Sequence, residues 1–121
     1  MPWPAVASTR SRDLSPDERR GGPKRARTAL QALERNYRAA FLRYLPSRDE
    51  AALHVGYQIG RSAVTDGLSI LELAQVHADV FLEVLTDTRP AELQQVATAA
   101  SDFFLQVLAT YDMASRAIPK P

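Results

Sequence analysis

The chain has 121 residues, of which 45% are hydrophobic and 24% charged, and it contains no cysteine. One domain with one core is therefore expected, and a disordered or fibrous chain is excluded. Without cysteine there can be no disulfide, thiolate nucleophile or thiolate-held zinc or iron–sulfur centre, which suits a reducing, cytoplasmic setting, and no apolar run approaches the roughly 20 residues that span a bilayer.

The net charge of +1 conceals an asymmetry: residues 1–46 hold ten Lys/Arg against four Asp/Glu, and residues 47–121 hold five against ten. Residues 1–22 combine Pro2, Pro4 and Pro16 with serines and scattered charges and have no apolar period, so a disordered basic tail is expected there. The tail lacks the apolar stretch of an export signal. Its arginines are not interleaved with aromatic residues, so no nucleic-acid partner is expected. Trp3, between Pro2 and Pro4, is the oddity: a weak anchor or a residue with no role.

From about residue 23 to 118 the pattern is helical. Leu30, Leu33, Tyr37, Ala40 or Phe41, and Tyr44 recur at three- and four-residue steps with arginines opposite, and Pro46 is expected to stop this first helix at about residue 45. "SRDE", Ser47 to Glu50, has the form of a capping box and opens the second helix. Its inner stripe reads Leu53, Gly56 or Tyr57, Gly60 and Val64, and glycines at 56 and 60 would let another helix approach closely. Each glycine costs about 1 kcal/mol of helix propensity relative to alanine, so two of them need a packing reason. Gly67 in "TDG" is the expected left-handed cap.

A second capping box, Ser69 to Glu72, opens helix three, with inward positions Ile70, Leu73, His77, Val80 or Phe81, and Val84. Leu71, Ala78, Leu82 and Leu85 form an adjacent apolar stripe that one bundle face cannot also bury, so a homodimer interface is expected on it. Helix four, from about Pro90 to residue 116, carries Leu93, Val96 or Ala97, Ala100, Phe103 or Phe104, Val107, Tyr111 and Ala114 before Pro119. The expected fold is all-α, an antiparallel four-helix bundle.

The two histidines differ. His77 sits on a dry apolar stripe with no inward carboxylate, so a structural role with Leu53, Gly56, Gly60, Phe104 and Tyr111 in the core is expected; its hydrogen-bond partner would be Tyr57 or Tyr111. With no convergent ligand set, neither metal nor cofactor is expected. His54 lies on the polar stripe Glu50, His54, Gln58, Arg61 and Thr65 and should face solvent. An exposed histidine on a bundle raises the alternative of a phosphotransfer domain. Those domains resemble one another in a lysine and a glycine three and four residues after the histidine, where this chain has Tyr57 and Gln58.

Tyr44 to Arg61, "GLSILELAQVHADVF" and "FFLQVLATYDMAS" together resemble the N-terminal regulatory domain of the phosphoserine phosphatase RsbU family over residues 37–117. The telling elements are Glu50, Leu53 and Arg61, the S-x-x-E start followed by apolar residues and His77, and the series Val107, Tyr111, Met113 and Ala114. The resemblance implies a dimeric, non-catalytic domain that binds a protein of the switch-kinase type, related to anti-sigma kinases. It would thereby switch on an attached metal-dependent phosphatase acting on a phosphorylated anti-anti-sigma factor. The family's domain is followed by a linker and the phosphatase, whereas this sequence stops at "IPKP", as a fragment or a stand-alone module would. The residues supply a candidate partner surface: Leu105 and Ala109 beside the polar Gln95, Thr98, Asp102 and Gln106, with His54 and Gln58 flanking the same groove if helices two and four are neighbours. A plain dimerisation module, or a nucleic-acid-associated regulator using the basic tail, is the remaining alternative.

Overall fold

The computed structural model describes residues 22–117, with side chains from residue 27 onward. The tail assigned to residues 1–22, save Gly22, and the helix break assigned to Pro119 lie outside the described residues. Four α-helices, α1 (Gly22–Ser47), α2 (Glu50–Thr65), α3 (Ile70–Thr86) and α4 (Leu93–Ala117), account for nearly all the described chain, and a 3₁₀ turn, Pro90–Glu92, precedes α4. No strand occurs among the described residues, and no helix there is long and apolar enough to cross a membrane.

Three of the expected helix boundaries shift: the end of the first helix, the cap of the second and the start of the fourth. The first helix runs through Pro46 to Ser47, because the Arg48 N–H still donates to the Tyr44 carbonyl at 2.7 Å and closes the last turn behind the proline. Arg48 then takes a left-handed φ of 55°, a conformation costing a non-glycine residue about 1–2 kcal/mol. Its guanidinium donates to the Gln95 carbonyl at 2.6 Å, tying the turn to α4. This reversal moves the cap of α2 from Ser47 to Asp49, whose Oδ1 accepts from the Ala52 N–H at 2.9 Å while Ser47 Oγ donates to Oδ2. Those hydrogen bonds, the Ala52 N–H first, hold the Asp49 carboxyl below its ordinary range.

The other boundaries follow the chemistry read from the sequence. Gly67 has φ 76°, and the pair of bonds from the Gly67 N–H to Val64 and from the Leu68 N–H to Ala63 makes a Schellman end to α2. At Ser69 both halves of the capping box are made, Ser69 Oγ accepting from the Glu72 N–H and Glu72 Oε1 from the Ser69 N–H. The third shift is at Pro90, which starts the 3₁₀ turn rather than α4 itself.

The core gathers around Phe103 of α4, with the rings of Tyr37, Phe41 and Tyr44 from α1 at 5.2, 5.7 and 5.6 Å. Leu33, Ala40, Leu73, Val76, Val80, Ala99, Ala100 and Val107 complete it. On α2 the buried residues are Ala52, Gly56, Ile59, Gly60 and Ala63, whereas Leu53, Tyr57 and Val64 are half-buried. The stripe is displaced because α2 packs on two neighbours, presenting its glycines to α4 and Ala52, Ile59 and Ala63 to α1. On α3 the buried set is Leu73, Val76 and Val80, and Ile70, in the first turn, is exposed. On α4 Leu93 is exposed and Thr110 is buried instead.

α2 makes its most extensive contact with α4. A Cβ on Gly56 would stand 3.0 Å from Phe103 Cε1 and 3.3 Å from Val107 Cγ2, and one on Gly60 would overlap Thr110 Oγ1 and the Val107 carbonyl oxygen. The two helices thus run the same way along their contact, at a separation only glycine permits. α3 packs on α1 and α4, and α2 and α3 touch at most marginally although four residues join them. One side of α3 is left uncovered as a result.

Candidate functional site

His77 closes the junction of α1, α3 and α4. Its Nδ1 lies 2.7 Å from the hydroxyl of Tyr37, its ring stacks on Phe104 at 3.9 Å with planes 4° apart, and Phe81 stacks more distantly at 5.7 Å. Burial pushes the Tyr37 phenol far above its ordinary pKa, so it stays protonated and donates to Nδ1, leaving the ring proton of a neutral His77 on Nε2. Burial also lowers the His77 pKa. The expected partners were Tyr57 and Tyr111; the structure supplies Tyr37 instead. Tyr111 donates to the Leu68 carbonyl at 2.8 Å, and Tyr57 stacks on His54. Among the described residues no group of three or more His, Cys, Asp or Glu could hold a metal ion. Of the other residues assigned to the core, Gly56 and Gly60 are buried, while Leu53, Phe104 and Tyr111 are half-buried and packed against it.

On the outer side of α2, His54, Gln58 and Arg61 are exposed, and the His54 ring lies parallel to Tyr57 at 5.6 Å. His54, Tyr57, Gln58 and Arg61 line one shallow depression with no residue of α4 in it. A second depression is shared by the two helices, with Tyr57, Arg61 and Val64 facing Thr110, Met113 and Ala114. Leu105 and Ala109 are both exposed and line neither. The helices are neighbours as the partner surface requires, and the residue that joins them there is Met113, 56% exposed. Sequence reading placed Met113 only in a family pattern. Leu105, Ala109 and Met113 follow one another at four-residue steps, a signal that marks a continuous apolar strip on the outside of α4.

The outer side of α3 is a separate surface. Leu71 and Leu82 are 50% and 62% exposed, Ala78 is exposed, and Leu85 is half-buried. With Gln75 they step through 71, 75, 78, 82 and 85, the alternating four and three of a helix that pairs with another helix. Nearby on α1, Leu42 is 49% exposed, and Arg38 makes a forked contact to Glu83 at 3.0 to 3.2 Å that fixes α1 against α3. An exposed pair of this kind stabilises by at most about 1 kcal/mol, so it registers the helices more than it holds them.

Neither the curated proteins nor the solved structures include a match to this chain. Residues 35–114, which take in all of α2 and α3 and most of α4, match the family described as phosphoserine phosphatase RsbU, N-terminal domain. That family is the regulatory part of the phosphatase and not its phosphatase domain, and the chain belongs to it.

Proposed function

We propose that residues 23–118 form an antiparallel four-helix regulatory domain that catalyses nothing itself. In this reading it works in the cytoplasm as a homodimer, binds a protein of the switch-kinase type, and so activates an attached metal-dependent serine phosphatase in partner-switching control of a sigma factor. The observation that carries the reading is the family match across all four helices. On this reading Leu71, Ala78, Leu82 and Leu85 on α3 meet a second copy, and His54, Gln58, Leu105 and Ala109, on the outer faces of α2 and α4, meet the partner; all of these except half-buried Leu85 are exposed.

Titration calorimetry with a cognate switch kinase tests the partner surface. Leu105 is 60% exposed, so Leu105→Asp should leave the fold intact. A contact worth more than about 1 kcal/mol would translate into binding at least about fivefold weaker. Unchanged affinity would remove α4 from the surface. Transfer of phosphate to His54 by any partner would instead make the domain a phosphotransfer module.

A further inference from the structure

α1 and α2 enclose a groove on the side away from α3, a cavity of about 330 Å³. Its floor is apolar, formed by Leu33, Ala40, Val55 and Ile59, and alanines of both helices line it, Ala32, Ala39 and Ala40 from α1 and Ala52 and Ala63 from α2. Pockets that take small ligands begin at about 300 Å³, so the space suits one large aromatic side chain with its neighbours. Arg43 and Asp66 stand at its two ends. Among the described residues no hydrogen bond or ion pair is made by either of these side chains.

We propose that this groove is the docking site of the chain's own N-terminal segment, anchored by Trp3. The segment "PWPAV", Pro2 to Val6, is apolar throughout and carries the chain's one tryptophan. Its two prolines fix backbone angles in advance, which lowers the ordering cost of laying it in a groove. The length fits as well. Fifteen residues, 7–21, separate this segment from the start of α1 at Gly22, and a coil of that length has a reach of roughly 20–23 Å. From Gly22 to Asn36, midway along the groove, the helix rises about 21 Å. A connector whose reach matches the span gives its highest effective concentration, about millimolar, so an intramolecular contact outcompetes the same contact from a second copy at micromolar protein.

Charge agrees with the direction of the path. α1 and α2 are joined by two residues at the far end, so Asp66, at the end of α2, marks the groove mouth nearest Gly22. A chain returning from Gly22 passes Asp66 with Arg12 and Arg10 before it reaches the floor with Trp3. Arg43, beyond, is then placed to stack on the indole face, the best cation–π acceptor among side chains.

Trp3 reports its own surroundings, because its fluorescence is the only tryptophan signal in the full chain. Emission and quenching by acrylamide are measured on the full chain and on a peptide of residues 1–12. A millimolar-class contact at millimolar effective concentration leaves about half the molecules docked, so Trp3 in the full chain should emit to the blue of the peptide and be quenched about twofold less. Val55→Asp puts a charge into the half-buried floor, and Ala39→Glu puts one on the exposed lip. Both should return Trp3 to the peptide's values, with circular dichroism showing the helices retained. Peptide-like emission in the wild type would overturn the proposal. So would a blue-shifted emission that neither variant moves, which would place Trp3 elsewhere. Emission that turns peptide-like on dilution would assign the contact to a second copy and overturn the intramolecular docking.

Discussion

The α2–α4 contact and the outer face of α3 are built from opposite materials. At the first, two glycines bring backbones together against the buried Phe103 and Thr110. At the second, Leu71 and Leu82 stand half or more exposed on a helix whose other side is fully buried at Leu73 and Val80. At the α2–α4 contact side-chain size sets how closely the backbones approach, whereas on α3 exposure is decided by which face a neighbouring helix reaches. Close helix approach is encoded by residues with little or no side chain, whereas the outer face of α3 keeps large apolar side chains that no neighbouring helix reaches.

The sharpest way to break the comparison is to disturb the tight contact. Phe103→Ala removes the ring around which Tyr37, Phe41 and Tyr44 pack and should cost about 3–5 kcal/mol in urea unfolding. Gly60→Ala is the more discriminating variant. In a free helix alanine gains about 1 kcal/mol over glycine. Here its Cβ meets the Val107 carbonyl oxygen and cannot rotate away, so the variant should lose about 1–3 kcal/mol. A stabilised Gly60→Ala protein would show that the helices stand further apart than this structure places them.

The outer face of α3 should respond in the reverse way. Leu82 is 62% exposed, so Leu82→Asp should shift the stability of the single chain by no more than about 0.5 kcal/mol. If a second copy covers this face, the same change should weaken self-association at least about tenfold in sedimentation equilibrium. Loss of folding would place Leu82 in the core, and unchanged association would move the dimer contact off α3.

Much of this organisation was legible in the sequence, and the part that was not has a common cause. The number of helices, the box at Ser69 and Glu72 and the cap at Gly67 depend on residues within one turn of each other, so local pattern sufficed. The cap at Asp49 was missed because it depends on Arg48 adopting a left-handed φ, held there by Gln95 forty-seven residues away. Thr110 was overlooked as a polar residue, yet it is buried because Gly60 makes room for it and its hydroxyl donates back to the Val107 carbonyl. The partner of His77 was misassigned for the same reason. Tyr37, Tyr57 and Tyr111 are equivalent in sequence, and only the packing of α1 on α3 selects Tyr37. Met113 lay within a four-residue spacing that could have been read directly, beginning at Leu105.

His77 belongs to the inner side of α3, at its junction with α1 and α4, and it provides the smallest and most specific test. As a neutral ring it accepts from Tyr37 and lies flat on Phe104; once protonated, Nδ1 can no longer accept, and the buried phenol must find another acceptor. Burial lowers its pKa in the folded protein, whereas in the unfolded chain it titrates near the ordinary value of about 6.5. The folded state therefore holds fewer protons than the unfolded one as pH falls below about 6.5, and stability must fall with it. The contribution is fully present above that pH and is lost progressively down to the depressed folded pKa, with a slope of at most about 1.4 kcal/mol per pH unit. His77→Gln keeps an acceptor for Tyr37 and cannot titrate. The wild-type protein should thus lose stability relative to His77→Gln between about pH 6.5 and 5, and the difference should be level above about pH 7.5. A difference that does not change with pH would mean that His77 is as accessible to protons in the folded bundle as in the unfolded chain, and the dry junction of α1, α3 and α4 would have to be redrawn.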